Sequence, residues 1–297
     1  MSNGDSSGRI VVVTGAAGGI GAAIAARFAA EDRVVSLWDL DPTVHETAAA
    51  LAATMVSAAE RAHDDPIDDA TRRRVDGSSS TTTTFSSGAA VHGVTVDITD
   101  ADAVHAAFDR LTAEHGTVEV LAHAAGVMVG GTALGLGPAD WTRCLSVNAT
   151  GTMLVTQRAA TEMAAAGSGS IVVVSSNAAA TPRVGMAAYG AAKAAATAFT
   201  RSLALQVAPL GVRVNLVSPG STDTAMLRDM FGGTPLDDAA ETALLDGDPA
   251  TYRLGIPLRR IAAPADIAAA VHFLASDGAR HITMHDLRVD GGATLDM

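Results

Sequence analysis

Positive charge is scarce in this chain: 20 Lys and Arg stand against 32 Asp and Glu, a formal charge of −12. A body so charged repels a phosphate backbone and an anionic bilayer surface, which sets nucleic acid and membranes aside as partners. No apolar run approaches the roughly 20 residues that a bilayer crossing needs. The stretch Met1–Arg9 is polar where a secretory signal carries an apolar core. Cysteine is limited to Cys144, so no internal disulfide can form, as suits a reducing cytoplasm. Charged residues make up only 18% against 48% apolar, which excludes disorder for the bulk of the chain. At 297 residues there is enough apolar material for one large buried core.

That material is arranged as alternating strands and helices. Ile10–Val13 and Val34–Trp38 are short apolar runs, as expected for strands buried on both faces of a parallel sheet. Further strands are expected at Gly93–Val96, Val118–His123, Ile171–Ser175, Val212–Val217 and Asp286–Val289. Alanine-rich helices are expected over Ile20–Ala30 and around 101–114, 139–166, 188–207 and 264–276. The alternation predicts a single doubly wound α/β domain over 9–297, after a flexible lead-in at 1–8. A polar stretch at about 62–90, with Asp64-Asp65, Asp68-Asp69, Arg72-Arg73-Arg74 and the run Ser78–Thr84, has little apolar area to offset its ordering entropy. It is expected to be a surface insertion, its acidic pairs a solvated loop rather than a cation site.

Thr14-Gly15-Ala16-Ala17-Gly18-Gly19-Ile20-Gly21 lies between the first strand and the first helix. Gly15 permits a tight turn, Gly19 lets backbone approach a pyrophosphate, and Gly21 allows helix and strand to pack closely. Phosphates can then meet the unpaired N–H groups of a helix N-terminus. Asp39 ends the next strand 24 positions after Gly15, near the spacing of about 20 expected for an acid that binds an adenine ribose. Its carboxylate accepts from the 2′- and 3′-hydroxyls and repels a 2′-phosphate, and no Lys or Arg immediately follows it. NAD is expected over NADP.

Tyr189 and Lys193 are four apart in a predicted helix and share a face. A tyrosine with a reference pKa near 10 is a poor base at neutral pH, and an ammonium nearby favours its phenolate. Ser176, 13 residues upstream at the end of a buried strand, can hydrogen-bond a reacting oxygen.

With these elements in hand, the chain resembles the short-chain dehydrogenase/reductase family over essentially its whole length. The resemblance rests on Thr14–Gly21, Asp39, Asp97, Ala124-Ala125-Gly126, Asn148, Ser176, Tyr189, Lys193 and Pro219-Gly220. It implies a Rossmann-type domain with a central, mostly parallel seven-stranded sheet. It implies Tyr189 as general acid/base, Lys193 holding the nicotinamide ribose and lowering the tyrosine pKa, Ser176 orienting the substrate oxygen, and Asn148 supporting a water-linked proton relay. Gly15, Gly19, Ile20, Gly21, Asp39, Ala125 and Gly126 would bind cofactor, with Asp97 contacting adenine and Pro219, Gly220, Thr222 and Thr224 holding the carboxamide side. One departure stands out: the family usually has Asn-Asn-Ala-Gly where this chain has His123-Ala124-Ala125-Gly126. The change bears on strand contacts rather than on the chemistry.

Four stretches of the second half, Thr181–Tyr189, Ser218–Met226, Leu254–Leu258 and His281–Leu287, resemble a narrower branch of that family. It implies oxidation of the ring alcohol of a cyclohexadiene carboxylate, 2,3-dihydro-2,3-dihydroxybenzoate, to the aromatic acid, for siderophore or related secondary-metabolite synthesis. The same reaction on trans-2,3-dihydro-3-hydroxyanthranilate, for antibiotic synthesis, is an alternative that one sequence leaves open, as is a non-catalytic NAD-binding sensor. A carboxylate in an apolar cleft needs a cation; Arg183, six residues before Tyr189, is the first candidate for a bidentate clamp. Met186, Met226 and Met230 can supply an apolar wall. Residues 221–260 lack clear periodicity and contain Gly232-Gly233, which suits a substrate lid. His281 and His285 lack the further ligands that a metal site requires, so no metal is expected. Cys144 is read as packing, and the resemblance implies a homotetramer.

Overall fold

The computed structural model describes residues 10–31, 33–64, 90–233 and 235–295. Seven strands form one sheet: β1 (Ile10–Thr14), β2 (Val34–Asp39), β3 (Val91–Thr95), β4 (Val118–His123), β5 (Gly169–Val174), β6 (Val212–Pro219) and β9 (Asp286–Val289). Their order is β3-β2-β1-β4-β5-β6-β9. Every neighbouring pair is parallel. The short β7 (Gly247–Asp248) and β8 (Arg253–Leu254) pair antiparallel apart from it.

Parallel strands need crossovers, and helices supply them on both faces. One face carries α1 (Gly19–Ala29), α2 (Val44–Asp64) and α9 (Pro264–Ala275). The other carries α3 (Ala101–His115), α5 (Thr152–Ala166) and α6 (Ala187–Val207). The apolar strand runs serve both layers, because successive side chains point to opposite faces. Val12, Leu121, Ile171 and Leu216 pack with Phe108, Val155 and Leu203. Their sequence neighbours Val11, Val120, Val172 and Val217 pack with Ile24, Phe28 and Ile267. Trp38 closes the first layer edge-on against Phe108, ring centroids 4.7 Å apart.

Three features depart from the expected helices. The helix α2 had no counterpart in the sequence reading: Val44 and Ala48 bury one stripe of it, and the alanines between give little contrast. The helix expected over 139–166 is α4 (Pro138–Leu145), a π-helical stretch over Ser146–Gly151, and then α5. Finally, 221–260 contains α7 (Ala225–Asp229) and α8 (Asp238–Asp246) besides the β7–β8 ladder. Of the expected insertion, 65–89 lies outside the described residues, as do residues 1–9.

Strand order reverses between β1 and β4, where connections leave the carboxyl ends in opposite directions. In open parallel sheets the crevice at such a switch point is where ligands bind. The motif residues Gly15–Gly21, after β1, and Ala124–Gly126, after β4, emerge there.

Candidate active site

The glycine turn is shaped by contacts rather than by loop freedom. Gly15 has φ +69°, and a Cβ there would lie 2.7 Å from the backbone of Ala125. A Cβ on Gly21 would lie 1.9 Å from the Gly15 carbonyl oxygen, so α1 can start this close to the turn only without a side chain. Asp39 holds the same turn from the neighbouring strand: Oδ2 accepts from Ala17 N–H at 2.9 Å, and Oδ1 from Asp41 N–H at 3.0 Å. A cleft of about 380 Å³ opens above, bordered by Gly18, Asp39, Asp97, Gly126 and Thr224. Asp97 Oδ1 accepts from Thr99 N–H and Oγ1–H at 2.8 and 2.7 Å. A Cβ on Gly18 would meet nothing within 4 Å, and among the described residues no lysine or arginine borders the cleft. These residues fit the adenosine and pyrophosphate of a dinucleotide: exposed backbone at a helix start, two carboxylates at the far end, and no cation for an extra phosphate.

Ile20, Ala124, Gly126 and Met226 border both this cleft and a second cavity of about 130 Å³. Ser176, Tyr189 and Lys193 line that inner cavity together. Tyr189 and Lys193 come from successive turns of α6, and Ser176 follows β5. Ser176 Oγ accepts from Ala178 N–H at 3.1 Å, capping a single helical turn. Tyr189 is 8% exposed and Lys193 5%. Burial pushes the tyrosine up to about 12, opposed by a hydrogen bond with Ser176 and by the Arg183 charge. Burial likewise brings Lys193 down to about 8. The Lys193 ammonium donates to the Val174 carbonyl at 3.0 Å and lies 5.9 Å from the phenol ring centre of Tyr189.

Asn148 sits in the π-helical stretch, fully buried. Its Nδ2 donates to the carbonyls of Val127 (2.9 Å) and Cys144 (3.0 Å), and Oδ1 accepts from Val127 N–H at 3.2 Å. It therefore ties α4 to the segment leaving β4; a Cβ on Gly126 would meet Asn148 Oδ1 at 2.7 Å. π-helical turns recur at functional positions. Cys144 packs with Tyr189 in a small apolar cluster.

His123, the departure from the family pattern, joins these parts. Thr152 Oγ1–H donates to the Asn148 carbonyl at 2.7 Å, so it accepts from His123 Nε2–H at 3.0 Å. Nδ1 then accepts from Thr14 Oγ1–H at 2.8 Å. The ring is neutral and satisfied on both sides, and burial drives its pKa down to about 3, helped by the Lys193 charge.

The expected substrate residues Arg183, Met186 and Met226 all line the inner cavity, with Met230 beside them. Pro219, Gly220 and Thr222 line it too, whereas Thr224 borders the outer cleft and caps α7. Sequence reasoning missed Arg253, from β8, whose side chain also reaches this cavity. Its only sequence signal was a basic residue next to Leu254–Leu258. Among the described residues, no group of three His, Cys, Asp or Glu is placed to hold a metal ion, and no helix is long and apolar enough to cross a membrane. A larger hollow, about 770 Å³, lies at the opposite strand ends, and its Arg213 is bonded to the carbonyls of Leu274, Ala275, Ser276 and Ile282.

A family model described as enoyl-(acyl carrier protein) reductase matches residues 70–294. The 2,3-dihydro-2,3-dihydroxybenzoate dehydrogenase of Bacillus subtilis (strain 168) is 36% identical over 288 residues, 97% of each chain. The Escherichia coli (strain K12) protein of the same name is 43% identical over 200 residues, 67% of this chain and 79% of that one. A solved 7α-hydroxysteroid dehydrogenase, complexed with NADH and 7-oxo glycochenodeoxycholic acid, superposes with a TM-score of 0.76 at 25% identity, covering 100% of this chain and 99% of that one.

Proposed function

The chain belongs to the short-chain dehydrogenase/reductase family, and on that premise we propose that it oxidises the ring alcohol of 2,3-dihydro-2,3-dihydroxybenzoate with NAD. The product is the aromatic 2,3-dihydroxybenzoate, a building block for catecholate siderophores. The observation that carries this reading is one pocket in which Ser176, Tyr189 and Lys193 meet a half-buried arginine, Arg183, at the inner end of a dinucleotide-shaped cleft.

A nicotinamide dinucleotide, when bound, accepts the hydride from the carbinol carbon. Gly15, Gly19, Ile20 and Gly21 hold its pyrophosphate, and Ala125 and Gly126 line its path. Asp39 takes the adenosine ribose hydroxyls and selects NAD over NADP by repelling a 2′-phosphate, with Asp97 beside the adenine. Pro219, Gly220, Thr222 and Thr224 hold the carboxamide end.

The chain's own residues move the proton. Ser176 Oγ hydrogen-bonds the substrate hydroxyl and sets its distance from Tyr189 Oη. Tyr189, as phenolate, takes the hydroxyl proton while the C–H electron pair leaves as hydride, and a ketone forms. Loss of a ring proton to oxygen then gives the aromatic phenol, which draws the oxidation forward. A phenol near 12 is a poor base at neutral pH, so positive charge must gather around it. Arg183 already acts in that sense, and Lys193, once turned from the Val174 carbonyl to the nicotinamide ribose, adds to it. Asn148 anchors the water-linked route by which the proton leaves. Arg183 clamps the carboxylate, and Met186 and Met226 form the apolar wall under the segment 221–260, which acts as the lid. The surroundings are cytoplasmic, in keeping with the single cysteine, and the working form is a homotetramer.

Absorbance at 340 nm with NAD and the dihydrodiol acid tests the reading directly. Turnover is expected, and Tyr189→Phe should abolish nearly all of it while NAD still binds. Silence with tight NAD binding, or faster turnover of the amino analogue, would remove the substrate assignment.

A further inference from the structure

We propose that Arg253 is a specificity-determining residue, forming with Arg183 a two-guanidinium seat that takes the carboxylate of a single-ring acid and fastens the β7–β8 strap over it. The inference rests on the carboxylate substrate proposed above and adds to it the partner that selects for that charge.

Arg183 stands in the loop before α6 and Arg253 on β8, 70 positions later, yet both are half-buried and line the same cavity. Burial weakens the protonation of each, and the charge of Arg253 weakens that of Arg183 further. Neither forms an ion pair among the described residues, in contrast to Arg158, Arg201, Arg228, Arg259 and Arg260. The carboxylates nearest in charge are occupied. Asp290, which acts on Arg183, accepts from Asn177 Nδ2, Gly292 N–H and Thr294 Oγ1. Asp248, which acts on Arg253, accepts from Ala250 N–H and Thr251 Oγ1. Two half-buried cations that share a cavity, with no carboxylate in ion-pair contact among the described residues, are costly to hold, and an anionic ligand offsets that cost.

Arg253 is also held in direction. Its Nη2 donates to Ser221 Oγ at 3.1 Å. The strap beneath it is tight: a Cβ on Gly247 would lie 2.4 Å from the Arg253 carbonyl oxygen, and one on Gly255 would lie 2.1 Å from that of Leu245. One wall of the cavity is apolar, formed by Met186, Met226, Met230 and Leu244, and faces the space that Ser176, Tyr189 and Lys193 also line. A space of about 130 Å³ with one charged end and one apolar wall suits a ring bearing a carboxylate, whose two oxygens can meet both guanidiniums.

The test compares binding of 2,3-dihydroxybenzoate with that of catechol, the same ring without the carboxylate, to the full chain loaded with NADH, by titration calorimetry. The native protein should prefer the acid at least about tenfold. Arg253→Met should weaken the acid by about 10- to 100-fold and leave catechol and NADH binding within about twofold. Arg253→Lys, which keeps a charge without the fork, should fall between. A methionine variant that keeps the native preference for the acid overturns the seat and leaves the carboxylate substrate standing on Arg183. A native protein that binds both rings alike overturns the carboxylate substrate and the seat together. Should the methionine variant lose NADH binding, the lysine variant decides: a selective loss for the acid supports the seat, and an unchanged preference overturns it.

Discussion

At the scale of single residues, burial disfavours the charged forms of Tyr189, Lys193 and His123, and the last two make stability depend on pH. Lys193 falls from its ordinary 10.5 to about 8. Below pH 8 the folded protein bears the cost of a buried ammonium that the unfolded chain does not, and that cost fades as pH rises from about 8 to 10.5. Lys193→Met should therefore raise thermal stability at pH 7, by about 1–3 kcal/mol, while abolishing turnover. A melting temperature below that of the native protein would contradict this. His123 behaves the same way in acid: below pH 6.5 the unfolded chain takes up a proton that the folded ring refuses until about pH 3. Folded stability is lost across that window as pH falls. His123→Asn should flatten the loss, measured as the midpoint of urea unfolding at pH 7 and pH 4.5, because an amide keeps hydrogen bonds without titrating.

At the scale of elements, the turn between β1 and α1 separates what the fold needs from what the ligand needs. Gly21→Ala forces its methyl into the Gly15 carbonyl and should cost about 1–3 kcal/mol or more in stability. Gly18→Ala meets nothing within the protein and has an extended backbone, φ −167°, so stability should stay within about 0.5 kcal/mol while dinucleotide affinity falls. Equal effects of the two on melting would break this division. The proposed preference for NAD is testable at the end of β2. Asp39→Ala combined with Leu40→Arg, at an exposed position on the same cleft, should shift the kcat/KM ratio toward NADP. Because Asp39 also holds the Ala17 N–H, part of the NAD affinity should be lost with it; unchanged selectivity would sink the assignment.

For the whole molecule, the doubly wound sheet gathers chemistry at one rim, since every strand runs the same way and ends there. The opposite rim offers a larger hollow, but its Arg213 side chain is bonded to four backbone carbonyls. Trp141 on α4, Leu205 on α6 and Phe273 on α9 remain exposed on the single chain, as helix faces awaiting a partner would be. Sedimentation velocity should report four chain masses at micromolar concentration, and a species of one chain mass would overturn the tetramer.

Much of this was legible in the residue order. The strands β4 and β9 were bounded to the residue, because each is a short segment carrying valine and leucine between polar turns, too short for a helix. The glycine turn, Asp39, and the Tyr189–Lys193 pair were equally plain, since their meaning lies in short spacings along one strand–turn–helix or one helix face. The helix α2 was not, because alanine tracts bury a stripe without showing one. Nor was the π-helical stretch around Asn148, which differs from the adjoining α-helix by a hydrogen-bond shift rather than by composition. What only the tertiary structure decided are meetings across long separations: Thr14 with His123 and Thr152, and Arg183 with Arg253. Such contacts depend on how the crossovers stack, and on burial that removes water from between like charges. Local sequence determined the fold and the place of the chemistry; packing decided which side chains share it.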